Sequence, residues 1–133
     1  MAAESILVVE DDPTLVHAIT RNLTVRGYAA RGATSVAAAL DALQGERPAL
    51  IVLDIDLPDG SGWEVLRALN EGHNEQVPAI VMSALRPNPR LCAELKTVGE
   101  LEKPFPMESL LRLVAQSTGR LKEPLPADAG QES

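Results

Sequence analysis

The segment Leu50-Ile51-Val52-Leu53-Asp54-Ile55-Asp56-Leu57-Pro58-Asp59-Gly60-Ser61-Gly62 sets the pattern that the rest of the chain repeats. Its first four residues are aliphatic without a polar break, as in a strand buried on both faces. A carboxylate, Asp54, ends the run. Pro58, Asp59 and Gly60 then supply turn chemistry. Behind Gly60-Ser61-Gly62, Trp63, Leu66 and Leu69 recur at helical spacing, with Trp63 expected to pack that helix onto a sheet. Strand, chemically able residue, turn and helix follow in that order.

The same order recurs on either side. Ile6-Leu7-Val8-Val9 runs into Glu10-Asp11-Asp12, Ala79-Ile80-Val81-Met82 into Ser83, and Gly99-Glu100-Leu101-Glu102 leads to Lys103-Pro104. Tyr28-Ala29-Ala30-Arg31 is the least apolar strand and belongs near an edge. Asp12 is a good N-cap before Pro13. Leu15, Ile19 and Leu23 then follow at intervals of four up to Gly27, a helix stop. Thr34-Ser35 can cap a second helix through Val36, Ala39, Leu40 and Leu43, ending near Gly45. Asn70 to Gln76 reads as a loop, Pro89 to Val98 holds a short fourth helix, and Pro106 opens a fifth with Met107, Leu110, Leu111 and Val114 as its buried stripe. The fold class is α/β, a doubly wound five-stranded parallel sheet with helices on both faces.

Composition narrows the function. At 133 residues the chain makes one ordinary domain. Twelve basic against 19 acidic residues give a net charge of −7, which argues against direct nucleic acid binding. Aromatics are scarce (Tyr28, Trp63 and Phe105), so base-stacking platforms are not expected. Cys92 is single and excludes an intrachain disulfide; it reads as a small packing residue. The start Met-Ala-Ala-Glu-Ser lacks the regions of a secretory signal, and no apolar run approaches the ~20 residues of a membrane span. A cytoplasmic location without membrane contact is the expectation. Past Gly119 the composition turns polar and Pro-rich, so residues 1–119 are assigned to the domain and 120–133 to a short flexible tail. His17 and His73 lie away from strand ends and read as surface residues.

In an open parallel sheet, ligands gather outside the carboxyl ends of the strands. There an acidic pair, a separate Asp, a hydroxyl and a Lys would meet. Carboxylates crowded together repel and raise their own pKa values, and a hard cation such as Mg²⁺, bound by a few carboxylates plus water and phosphate oxygens, relieves this. An Asp can attack phosphorus to form an acyl phosphate. Transfer then depends on charge neutralisation and positioning. Lys103 supplies charge, Ser83 a hydrogen bond, and Ala84 leaves room for the incoming group.

The segments Ile6–Asp12, Asp54–Gly62, Ser83-Ala84 and Lys103-Pro104-Phe105 together resemble the receiver domain of two-component response regulators, over about residues 5–119. The resemblance implies a flavodoxin-like (βα)5 fold with strand order 2-1-3-4-5 and a Mg²⁺ cofactor. It implies Asp54 as phosphoacceptor, and Glu10, Asp11, Asp54 and the backbone carbonyl of Asp56 around the metal. Asp11 would be a direct ligand and Glu10 would act through water. Ser83 and Lys103 would hold the phosphoryl group, and the Lys103–Pro104 peptide would be cis, as it often is in the family. The donor would be a phosphohistidine on a histidine kinase or a phosphotransfer protein. Output would pass to a downstream protein target from a monomer or a phosphorylation-dependent dimer. The domain would not be an enzyme beyond self-phosphorylation and self-dephosphorylation. Asp56 and Leu85 would tune how readily water attacks the acyl phosphate.

Two features depart from the family pattern. Glu100 stands where members usually carry Tyr or Phe as a conformational switch, and the span from Ser83 to Lys103 is short, which leaves the fourth helix trimmed or displaced. They keep open a receiver-fold adaptor that binds whatever its phosphorylation state. Leu53-Asp54-Ile55-Asp56 also fits the start of haloacid-dehalogenase-type phosphatases. Those, however, place their acidic pair after the Lys and need room for a substrate-covering cap.

Overall fold

The computed structural model describes residues 4–73 and 75–120. Five parallel strands, β1 (Ser5–Val9), β2 (Ala29–Ala33), β3 (Leu50–Asp54), β4 (Ala79–Ser83) and β5 (Gly99–Glu102), form one sheet in the order β2-β1-β3-β4-β5. The helices are α1 (Pro13–Val25), α2 (Val36–Ala42), α3 (Gly62–Asn70), α4 (Pro89–Glu94) and α5 (Met107–Ser117). The architecture is the doubly wound α/β sheet expected from the sequence. None of the described helices is long and apolar enough to cross a membrane.

The continuous apolar runs are explained by two cores, one on each face. Alternate residues of the central strands (Leu7, Val9, Ile51, Leu53, Ala79 and Val81) meet α2, α3 and α4, with Trp63 and Cys92 among the buried contributors. Their neighbours Ile6, Val8, Leu50, Val52, Ile80 and Met82 meet α1 and α5. A strand sandwiched in this way has no polar face, so period-two alternation disappears from its sequence. β2 lies at an edge, as its weaker pattern foretold, and is only partly buried.

Helix boundaries follow local chemistry. Asp12 accepts the Thr14 N–H at 2.9 Å and caps α1, which ends before Gly27 at φ +91°. Ser35 caps α2 through the Ala38 N–H at 3.0 Å. That helix stops at Ala42, a little before the expected Gly45. In α5, Leu110 and Val114 are buried, whereas Met107 and Leu111 are only partly so. The fourth helix is trimmed, as expected, to Pro89–Glu94 inside the Pro89–Val98 span. Lys96 takes φ 54° and the Val98 N–H bonds the Ala79 carbonyl at 2.8 Å, which returns the chain to the sheet for β5. Between β3 and α3 lies a small antiparallel ribbon, Asp56–Leu57 with Gly60–Ser61, which no periodicity in the sequence announces.

Contacts of the domain extend to its last described residue. The Tyr28 hydroxyl shares a 2.9 Å hydrogen bond with Thr118 Oγ1, and the Arg120 guanidinium lies 3.8 Å from the Tyr28 ring centroid. Arg120 also donates to Glu4 Oε1 at 2.9 Å. The flexible tail expected at 120–133 falls, from residue 121 on, outside the described residues.

Asp59 of the β3–α3 connection and Gly62 at the start of α3 fix the backbone around Asp54. Asp59 accepts the Val36 and Ala37 N–H groups at 2.7 and 3.0 Å, tying the connection to the first turn of α2. Those bonds hold its carboxyl below the ordinary value of 3.8. Gly62 lies against the backbone of Asp54, where an added Cβ would stand 2.3 Å from the Asp54 carbonyl oxygen.

Two outcomes follow. Gly62→Ala should destabilise the fold by about 1–3 kcal/mol, the range for overpacking against a fixed backbone, read as a shift in the urea midpoint. Asp59→Ala should lower stability at neutral pH. The contribution of Asp59 is present above the unfolded value near 3.8 and lost as pH falls through the lower folded value, so the gap to wild type should close in acid. A gap that persists unchanged in acid would assign the loss to something other than these bonds.

Candidate functional site

Strand register brings the candidate residues to the same end of the sheet. Val9 pairs with Leu53, so Glu10 and Asp54 occupy equivalent positions on neighbouring strands. Asp54 pairs with Met82, which sets Ser83 one step further out, and Ser83 pairs with Glu102, which does the same for Lys103. Backbone bonds continue the ladder past the strands: Glu10 N–H to the Ala33 carbonyl at 3.0 Å, Ile55 N–H to Met82 at 2.9 Å and Lys103 N–H to Ser83 at 2.8 Å. The reactive side chains therefore stand on rigid backbone. The Lys103–Pro104 peptide is cis.

Glu10 and Asp54 are each 1% exposed. Lys103 Nζ lies 2.6 Å from Glu10 Oε2 and 3.1 Å from Asp54 Oδ2, so one ammonium faces two buried carboxylates. The other Asp54 oxygen, Oδ1, accepts the Asp56 N–H at 2.9 Å. Burial works to lower the Lys103 pKa, but the hydrogen bonds to Glu10 and Asp54 outweigh it and the net shift is upward. For Glu10, burial is the largest influence. With the nearby Asp54 it overcomes the pull of Lys103 and raises the carboxyl from 4.5 to about 7.

One oxygen from each of Glu10, Asp11 and Asp54 lies within 4.8 Å of the others. Asp11 is exposed at the mouth and the other two form the floor. This is an all-oxygen donor set of the kind hard divalent cations prefer. Three carboxylates meet one ammonium there, an excess of negative charge that a divalent cation would offset. The residues present fit a Mg²⁺ ion.

Asp56 does not join that carboxylate group by its side chain. The Ser83 hydroxyl donates to Asp56 Oδ2 at 3.1 Å and accepts the Leu85 N–H at 3.3 Å. The sequence left open whether the Asp56 side chain faces solvent or the site; it faces Ser83. The Ser83–Asp56 bond has no local signature, since the two residues lie 27 positions apart. The capping role of Asp59 was missed for the same reason. His17 and His73 are exposed and lie outside the strands. Burial also pushes the Cys92 thiol up, in keeping with packing rather than reactivity.

The family model described as "Response regulator receiver domain" matches residues 6–115. The chain is 34% identical over 128 residues to "Response regulator MprA" of Mycobacterium tuberculosis (strain ATCC 25177 / H37Ra), covering 95% of this chain and 54% of that protein. It is 36% identical over 108 residues to "Transcriptional regulatory protein KdpE" of M. tuberculosis (strain CDC 1551 / Oshkosh), covering 80% and 47%. The chain thus spans about half the length of these curated relatives. The solved structure "BeF3 Activated DrrB Receiver Domain" superposes with a TM-score of 0.75 at 26% identity, over 89% of this chain and 99% of that one.

The raised Glu10 pKa has a measurable consequence. Between 4.5 and about 7 the folded protein keeps a proton that the unfolded chain has released, so this group costs stability as pH rises through that window. In chelator, the wild-type urea midpoint should fall between about pH 5 and about pH 7, and Glu10→Gln should flatten the fall. An identical slope in both proteins would remove Glu10 as its source.

Proposed function

The chain belongs to the family of response regulator receiver domains, a signalling family rather than a class of enzymes in the ordinary sense, and from that membership we propose that it takes a phosphoryl group onto Asp54. The observation that carries the reading is the position of Asp54. It is buried, backed by the Asp56 N–H on one oxygen and by Lys103 on the other, and grouped with Glu10 and Asp11.

The donor is a phosphohistidine of a histidine kinase or histidine phosphotransfer protein. An Asp54 oxygen attacks phosphorus, the P–N bond breaks, and its electron pair returns to the imidazole. The Asp56 N–H and the Lys103 ammonium orient the carboxylate for this step, and Lys103 also offsets the charge gathering on the transferred group. Ser83 gives that group a hydrogen bond, and the small Ala84 leaves its approach open. A Mg²⁺ ion held by Glu10, Asp11, Asp54 and the Asp56 backbone carbonyl would supply further positive charge to the transferring oxygens. In a separate hydrolytic step, water attacks phosphorus, the acyl phosphate O–P bond breaks with its electron pair returning to the Asp54 carboxylate, and inorganic phosphate leaves with the oxygen and protons of the water.

Residues 1–119 form the receiver unit in this reading, working in the cytoplasm as a monomer or a phosphorylation-dependent dimer. Its output is contact with a downstream protein, and its acidic surface leaves nucleic acid to other partners. Family membership removes the haloacid-dehalogenase alternative. A phosphorylation-independent adaptor is the second reading, and Glu100 favours it. That residue is exposed, accepts a 3.1 Å hydrogen bond from the Thr97 hydroxyl, and offers no aromatic switch. Equal partner affinity with and without beryllofluoride would select it.

Intact-mass analysis after treatment with acetyl phosphate and Mg²⁺ tests the proposal. Wild type should gain one phosphoryl mass, Asp54→Asn none. Asp11→Ala should weaken Mg²⁺ binding by at least about tenfold, the low end of what even an outer-shell partner costs a metal site. A phosphate gained by Asp54→Asn would overturn the assignment.

A further inference from the structure

The hydroxyl of Ser83 is already engaged on both sides. It gives its proton to Asp56 Oδ2 at 3.1 Å and receives the Leu85 N–H at 3.3 Å. A serine carries one hydroxyl proton. A phosphoryl oxygen arriving on Asp54 can therefore have that proton only if it turns away from Asp56. Asp56 is not free to follow, because its backbone N–H donates to Asp54 Oδ1 at 2.9 Å and its residue pairs with Ser61 in the ribbon. From this geometry we infer that Asp56 is a positioning residue: its carboxylate holds the Ser83 hydroxyl in the resting state, and that hold opposes occupation of Asp54 by a phosphoryl group.

The inference rests on the phosphoacceptor reading and sharpens it. Asp56 is exposed, so water can replace the lost donor and the opposition is modest. The consequence reaches beyond the pair. When Ser83 Oγ turns, its bond from the Leu85 N–H is disturbed at the start of the β4–α4 loop. Leu85 is 78% exposed, and no packed core resists its movement. The exchange of one proton between Asp56 and the phosphoryl group is thus tied to the position of a surface leucine.

A simpler effect would be repulsion between the Asp56 charge and the incoming anion, acting without Ser83. A double-mutant cycle separates the two. Beryllofluoride serves as the phosphoryl mimic, titrated calorimetrically into the full chain at saturating Mg²⁺. The proteins are wild type, Asp56→Ala, Ser83→Ala and the double variant. Asp56→Ala should tighten binding about fivefold when Ser83 is present, in line with one partly solvated, charge-assisted hydrogen bond, and less than about twofold in the Ser83→Ala background. Asp56→Asn keeps an acceptor for the hydroxyl and should stay nearer to wild type than Asp56→Ala does. Equal tightening in both backgrounds, or none in either, would overturn the inference while wild-type binding leaves the phosphoacceptor reading standing. No binding by wild type would overturn both.

Discussion

Two carboxylates that water scarcely reaches share one ammonium, and the rest of the site is arranged around that contact. Lys103 reaches Glu10 at 2.6 Å and Asp54 at 3.1 Å from the opposite end of the sequence. Burying charge without a partner is costly, and removing one member of such a group leaves the others uncompensated. The sheet order makes the contact available. β3 lies between β1 and β4, and β5 lies beyond β4, so Lys103 crosses the end of β4 to reach both acids. The ladder bonds past the strand ends then fix the backbone from which each side chain projects. One positive charge against this acidic group is an incomplete balance, and burial, with Asp54 beside it, pushes the pKa of Glu10 up.

That deficit links stability to function. An apolar floor at these positions would fold with less strain, since carboxylates held together in a crevice contribute little to holding the sheet. Their value lies in preorganisation: the oxygen donors and the ammonium are in place before any ligand arrives, so little reorganisation accompanies binding. The two apolar cores supply the stability that permits it. The short ribbon, Asp59 on α2 and Gly62 against the Asp54 backbone then lock the segment carrying the acceptor.

Most of the architecture was legible because buried parallel strands and capped helices have local signatures. The run Leu50–Leu53, the pair Asp12-Pro13 and the hydroxyl of Ser35 each declare an element within a few residues. Site residues were legible for a related reason: each sits where an apolar run stops. Contacts across the chain were not. Asp59 bonds residues 23 and 22 positions earlier, and the Ser83–Asp56 bond spans 27. Their partners are chosen by the folded topology, and either residue alone reads as an ordinary turn or strand end. The ribbon escaped notice because two-residue strands carry no periodicity.

Glu100 stands where receiver domains usually carry an aromatic side chain. On β5, Gly99 and Leu101 are buried while Glu100 and Glu102 are exposed. A carboxylate there keeps its hydration by staying outside the core, and it rests at the surface against the Thr97 hydroxyl. On the proposal above, a change at Asp54 would then travel through Ser83, whose single proton can serve Asp56 or a phosphoryl oxygen but not both. Leu85 follows Ser83 directly through its N–H, and the short α4 lies just beyond it. A loop that carries an exposed leucine and ends in a six-residue helix is weakly held, which makes it the part of this face most easily moved by a small rearrangement at the strand ends.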